Sequence, residues 1–274
     1  MTVVEDRTAS RTMANVRRVW LVAAMLTLAN PVLHKSISDV CDWVRARWGF
    51  ESYNVTALIA IPVASLLVVL PALIRRRAVL LRTPTLVNVL ILSGISFAAQ
   101  HWLLVANVEL IHLPQFALLA TLLLAAGLDA SSAYLLSTAA GVLDETYQHL
   151  VIYAGVAGTY FDINDIVLNA IGAAWGVVLF AGMFEARMKT ALSWRTGVAV
   201  AAVALPVLWW LDPPRFSPFL SPTTSGRITY RVMSSAEGLV ACALLWGMTR
   251  FVTRPEIAGS RTEIAGPPAR PAWT

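Results

Sequence analysis

Charge is what this sequence has least of. Only 14% of its 274 residues are Asp, Glu, Lys or Arg, while 57% are hydrophobic and the mean hydropathy is +0.66. An ordinary soluble domain carries about 25% charged residues, so the composition excludes one and points to a polytopic membrane protein. Lysine is nearly absent. Lys35 and Lys189 are the only two, neither follows a glycine, and a P-loop with a nucleotide partner is therefore excluded. The two cysteines, Cys41 and Cys242, lie far apart and give neither a disulfide framework nor a zinc-ligand spacing. The net charge of +5 does not mark a nucleic-acid binder, because 19 of the 21 basic residues are Arg set beside apolar runs, which is a topology signal. No G-x-S-x-G nucleophile elbow is present.

What the sequence has instead is apolar length. A helix needs roughly 20 mostly apolar residues to cross about 30 Å of hydrocarbon. Eight stretches qualify, near 18–33, 55–74, 84–105, 110–128, 131–151, 165–184, 196–211 and 232–252. The first and seventh are short and contain Pro31 and Pro206, so the expected fold is an all-α transmembrane bundle of about eight spans, seven to nine. With both termini in the cytoplasm, fifteen Lys and Arg fall on the inner side and six on the outer, as the positive-inside rule requires. Trp20, Trp102, Trp194, Trp209 and Trp210 sit near predicted span ends, as an aromatic belt does.

The organisation read from this pattern has five parts. A basic cytoplasmic segment occupies 1–17, a transmembrane hairpin with an outward loop 18–79, a core 80–186, a second hairpin 187–253 and a disordered cytoplasmic tail 254–274. Arg17 and Arg18 before an apolar run resemble a secretory signal, but no clear A-x-A site follows and the segment reads as a retained anchor. In the outward loop Val40, Trp43, Val44 and Trp48 share a helical face, which suits an interfacial helix; an ordinary capping loop fits equally well.

Between Thr83 and Ala186 there is no Lys or Arg, yet seven of the sixteen acids lie there: Glu109, Asp129, Asp144, Glu145, Asp162, Asp165 and Glu185. Stopping the fifth span before Asp144 would leave a helix of only about 20 Å at 1.5 Å per residue, too short for the bilayer. The run Leu150–Tyr153 supports continuation, so Asp144 and Glu145 are expected one to two turns below the surface. A carboxylate at the bilayer centre costs on the order of 2.5 to 3.5 kcal/mol, less near the edge, and marks a functional site by default. Ser137, Gly141, Asp144 and Gln148 form one stripe, and Asp165, Asn169, Gly172 and Gly176 another, the last two a GxxxG pair for close helix approach. Glu109, His112 and Phe116 share a face on the fourth span. Three helices are thus expected to gather acids, carboxamides and an imidazole at their outer ends.

Those residues resemble the VanZ-like family of bacterial membrane proteins. The resemblance rests on His112 with Phe116, on Asp-Glu-Thr-Tyr-Gln from Asp144 to Gln148, and on Asp165-Ile-Val-Leu-Asn169 leading to Gly172 and Gly176. It covers residues 80–186, and the arginine that the family commonly carries between the glutamine and the later aspartate is missing. The resemblance implies a multi-pass protein of the bacterial plasma membrane with a cell-envelope role, associated with glycopeptide resistance; no reaction is attached to the family.

Three functions fit these residues. The first is binding, by Glu109, His112, Asp144, Glu145, Gln148, Asp162, Asp165 and Asn169, of a lipid-linked cell-wall precursor or a glycopeptide-type compound, with Arg215, Arg227 and Arg231 as outward cationic partners. The second is an enzyme using Glu145, Asp144 and His112 as acid, base or proton donor on a lipid head group; no cofactor is required, although carboxylates can hold Mg2+ or Ca2+. The third is a proton-coupled transporter, against which no inverted repeat and no polar path to the cytoplasmic side are evident. Structural readings compete at several positions: Asp165 as an N-cap of the sixth span, Asp129 as a turn or cap residue, and Glu237 as a hydrogen-bonding partner beside Ser234 and Ser235.

Overall fold

The computed structural model describes residues 2–75, 77, 81, 83–156, 160–184 and 231–252, and among these it is all-helical with no strand. Seven α-helices follow in order: α1 (Thr2–Trp48), α2 (Phe50–Arg75), α3 (Thr83–Trp102), α4 (His112–Ala125), α5 (Ala130–Tyr147), α6 (Ile163–Phe184) and α7 (Ser235–Val252). A 3-10 turn, Asn107–Ile111, leads into α4, and a π-helical turn, Gln148–Ile152, extends α5. Among the described residues four segments are long and apolar enough to cross a membrane: Val16–Trp48, Phe50–Arg75, Asn107–Ala125 and Ile163–Ala181. The chain is a membrane protein on that ground. The expected span 196–211, the tail 254–274, and Arg215 and Arg227 lie outside the described residues.

One element differs from expectation. The stretch expected to form an outward loop is neither a loop nor a separate interfacial helix but the continuation of α1 to Trp48. The reason is local: no glycine or proline follows Pro31 until Gly49, Lys35 pairs with Asp39 one turn on, and Asp42 pairs with Arg45 at 3.5 Å. Arg45 and Arg47 occupy the last turn, where cations oppose the negative end of the helix dipole. Gly49 then adopts φ +80°, a left-handed conformation that only glycine takes without strain, and α2 begins at the next residue.

Helix α6 is the hub, packed against α3, α4, α5 and α7, with 83% of its apolar window buried. Its small residues make this possible. A Cβ built on Gly172 would lie 2.5 Å from the Leu113 carbonyl oxygen, and one on Gly176 would lie 2.4 Å from that of Ala117, so α6 and α4 touch backbone to backbone. Gly141 of α5 leaves room for the Asn169 side chain of α6, whose Nδ2 would lie 2.8 Å from a Cβ built there. By contrast the apolar windows of α1 and α2 are only 6% buried, and Leu21, Met25, Leu28, Ile59, Leu67 and Val68 face outward, as lipid-facing helices do.

Helix ends are closed locally. Asp129 caps α5, accepting from the Ser132 amide at 2.9 Å and from its hydroxyl at 2.9 Å, the cap role expected from the sequence. Glu237 accepts from the Ser234 amide at 2.9 Å and hydroxyl at 3.2 Å, and it also pairs with Arg231. The N-terminus of α6 is capped by Asp162, whose carboxylate accepts from the Asn164 and Asp165 amides at 2.9 and 3.4 Å. The capping role considered for Asp165 therefore belongs to Asp162, because an acid one residue before the first turn reaches its free amides and one inside it does not.

Candidate functional site

Helix α5 continues past its acids into the π-helical turn. Asp144 and Glu145 lie on the last turn of α5, and both are buried, at 2% and 3% exposure. The π-helical turn that follows carries Gln148 back onto the same face, where its amide donates to Glu145 Oε1 at 2.9 Å and to Asp144 Oδ2 at 3.3 Å. π-turns of this kind insert one extra residue and often occur at functional sites.

The opposing wall comes from α4 and α6. His112 opens α4, and its Nδ1 lies 2.8 Å from Asn169 Oδ1, while its Nε2 lies 3.5 Å from Asp165 Oδ2. Phe116, one turn on, stacks on the imidazole with ring centroids 6.5 Å apart. With Asp165 relieved of capping, its carboxylate is directed to the imidazole. Both ring nitrogens thus face oxygen atoms of α6, which orients the ring.

Two of the expected residues serve backbone. Glu109 accepts the Val105 and Ala106 amides at 3.0 and 3.1 Å and so holds the 3-10 turn before α4. Asp162 caps α6, and its carboxyl is pushed up to about 7, first by burial and then by the neighbouring charge of Asp165. Both remain within electrostatic reach of Asp165. The structure therefore brings together His112, Asp144, Glu145, Gln148, Asp165 and Asn169, with Glu109 and Asp162 at the rim as structural acids.

The site also includes residues that the sequence did not single out. Asn30 of α1 donates to Asp144 Oδ2 at 2.7 Å, and Gln115 of α4 donates in turn to Asn30 Oδ1. His34, one turn along α1, contacts the Tyr153 hydroxyl at 3.3 Å and lies within electrostatic reach of His112 and Asp165. A fourth helix thus completes the cluster. Beyond its rim Asn164 fastens the entry of α7 to the end of α3: its amide donates to the carbonyls of Leu103 at 3.0 Å and Arg231 at 2.7 Å, and its oxygen accepts from the Met233 amide at 3.0 Å. No signal for Asn30 or Asn164 exists in local spacing, because their partners are 61 to 114 residues distant.

Not every polar atom in the cluster is matched. Among the described residues Asp144 Oδ1, Asn169 Nδ2 and Ser137 Oγ are buried without a hydrogen-bond partner. All three lie along the two facing stripes of α5 and α6, and each such orphan costs about 1 to 3 kcal/mol. The described His, Cys, Asp and Glu side chains form no group of three suited to a metal ion.

Comparison with known proteins adds no assignment: no family model, curated protein or solved structure matches the chain.

Proposed function

We propose that this chain is a VanZ-like integral protein of the bacterial plasma membrane that binds a lipid-linked cell-wall precursor or a glycopeptide-type compound at its acidic, outward-facing cluster. In this reading the full chain has eight spans with both termini cytoplasmic, in accord with the fifteen-to-six distribution of Lys and Arg. The outer ends of α4, α5 and α6 then face the cell exterior. The observation that carries the reading is the pair of buried orphans on facing helices, the acceptor Asp144 Oδ1 and the donor Asn169 Nδ2. Buried polar groups are nearly always satisfied, and a ligand bearing hydroxyls, amides or amines supplies the missing partners.

The test is susceptibility to lipoglycopeptides in cells expressing Glu145→Gln or Asp165→Asn at the level of the parent chain. Susceptibility is expected to change at least severalfold in each. Unchanged susceptibility in both, at equal expression, contradicts the proposal.

A further inference from the structure

The atoms around the His112 ring call for a proton on each of its nitrogens. Nδ1 lies 2.8 Å from Asn169 Oδ1, and Nε2 lies 3.5 Å from Asp165 Oδ2, an ion-pair distance. A carboxamide oxygen and a carboxylate oxygen only accept, whereas a neutral imidazole has one N–H and one lone pair. With its hydrogen on Nδ1 the neutral ring would turn a lone pair on the carboxylate. With its hydrogen on Nε2 it would turn a lone pair on the carboxamide oxygen at hydrogen-bonding distance. The imidazolium, a donor at both nitrogens, suits both neighbours. A proton on Asp165 would also fit these contacts, but an imidazole is ordinarily the stronger base by about 2.5 pKa units, so the nitrogen takes it.

The orientation of Asn169 points the same way. Its Nδ2 faces Gly141 of α5, 2.8 Å from where a Cβ would stand, and is buried without a hydrogen-bond partner. Half a turn of the carboxamide would hand Nδ2 to the His112 ring and end that deficit, provided the ring had a lone pair to receive it. An imidazolium has none, and the oxygen stays on the ring. The surroundings favour the cation. Asp144 of α5, Glu109 of the 3-10 turn and Asp162 before α6 lie within electrostatic reach of His112, and Glu145 within reach of Asp144 and Asp165. No Lys or Arg occurs from Thr83 to Ala186, and Lys35 of α1 is exposed and paired with Asp39. His34 of α1 opposes, as a second imidazole within reach of the first.

We propose that His112 is a proton-binding site, an imidazolium held between Asn169 Oδ1 and Asp165 Oδ2, and that its proton keeps Asn169 Nδ2 turned toward α5 as an unpaired donor. The bound proton is then the cation that this stretch of sequence lacks. Its loss from Nδ1 leaves a neutral ring donating through Nε2 to Asp165. The freed lone pair draws the Asn169 amide over, and the donor facing Gly141 is withdrawn. The proton site stands independently of which ligand the cluster takes, and it determines whether that donor is on offer.

The experiment uses the full chain in phosphatidylcholine nanodiscs, labelled with nitrogen-15 at histidine and asparagine, and reads the protonation of the ring nitrogens by NMR. The chain has four histidines, so His34→Gln, His101→Gln and His149→Gln identify the His112 signals by elimination, without replacing His112 itself. At about pH 7.5 an ordinary imidazole is about nine-tenths neutral, whereas His112 is expected to carry a proton on both nitrogens. In Asp165→Asn at the same pH it is expected to carry one. Raising the pH on the parent chain should remove the Nδ1 proton and shift the Asn169 side-chain amide in a single step. A singly protonated His112 in the parent chain, two protons retained in Asp165→Asn, or loss of the Nδ1 proton with no change at Asn169 each overturns the proposal. These readings need no added ligand, so their failure is distinct from a failure of the susceptibility test.

Discussion

Replacing Gly176 by Ala tests how closely the site depends on helix contact. The new Cβ would sit 2.4 Å from the Ala117 carbonyl oxygen and 3.0 Å from Ala120 Cβ, where ordinary contact begins at 3.4 Å. Because the first obstacle is backbone, relief requires α4 and α6 to part by about 1 Å, and such overpacking costs about 1 to 3 kcal/mol. The same displacement would stretch the 2.8 Å contact between His112 on α4 and Asn169 on α6 beyond hydrogen-bonding distance. Gly94 on α3 is the matched control, since a Cβ there meets nothing within 4 Å. At that position Gly→Ala should gain roughly 0.5 to 1 kcal/mol from backbone entropy alone. The assay is reversible unfolding in mixed micelles followed by circular dichroism. Gly94→Ala should be as stable as the parent or more so, and Gly176→Ala clearly less stable. Equal stability of the two variants would refute the backbone-to-backbone packing.

Three further outcomes follow from the same geometry. Asn164→Ala removes three hydrogen bonds and leaves their backbone partners unsatisfied, so it should cost about 2 to 3 kcal/mol and raise amide exchange at Met233; unchanged exchange there would contradict the clamp. Asp162→Asn keeps the capping oxygen but cannot ionise. Since the Asp162 carboxyl is raised to about 7 in the fold, it binds its proton more tightly there than in the unfolded chain, and its ionisation destabilises progressively from about pH 4 to 7. The variant should therefore lose part of the parent's fall in thermal midpoint across that range, and an identical pH profile would rule this out. Gln148→Leu strips both carboxylates of an amide donor and should destabilise by about 1 to 3 kcal/mol in the same unfolding assay, whereas no change would show that the amide bridge is idle.

Features set by neighbouring residues were legible in the sequence. The persistence of the α5 helix through its acids was legible in the apolar run that follows them, Gly172 and Gly176 in their spacing, and the Asp129 cap in its place before Ala-Ser-Ser. The meeting of α4, α5 and α6 followed from two polar stripes with the same period. Features set by distant pairing were not legible. Asn30 reads as a lone polar residue in an apolar span until α1 is laid against α5, 114 residues away. Between Asp162 and Asp165, three residues apart, either acid suits a helix start, and only the backbone shows which one caps. The helix through Trp48 was obscured because its charges, which make ion pairs along one helix, look from composition alone like a solvated loop.

The account rests on buried polar groups from different helices acting on one another, and a double-mutant cycle between His112 and Asn169 tests this most directly. His112→Leu, Asn169→Leu and the double variant would be unfolded under identical conditions. Side-chain pairs of this kind in membranes couple by about 0.6 kcal/mol on average and up to about 1.7 kcal/mol. At 2.8 Å and buried, this pair should fall in the upper part of that range, with the double variant costing clearly less than the two single changes together. Strict additivity would mean that α4 and α6 do not share these groups, and the cluster as described would not exist.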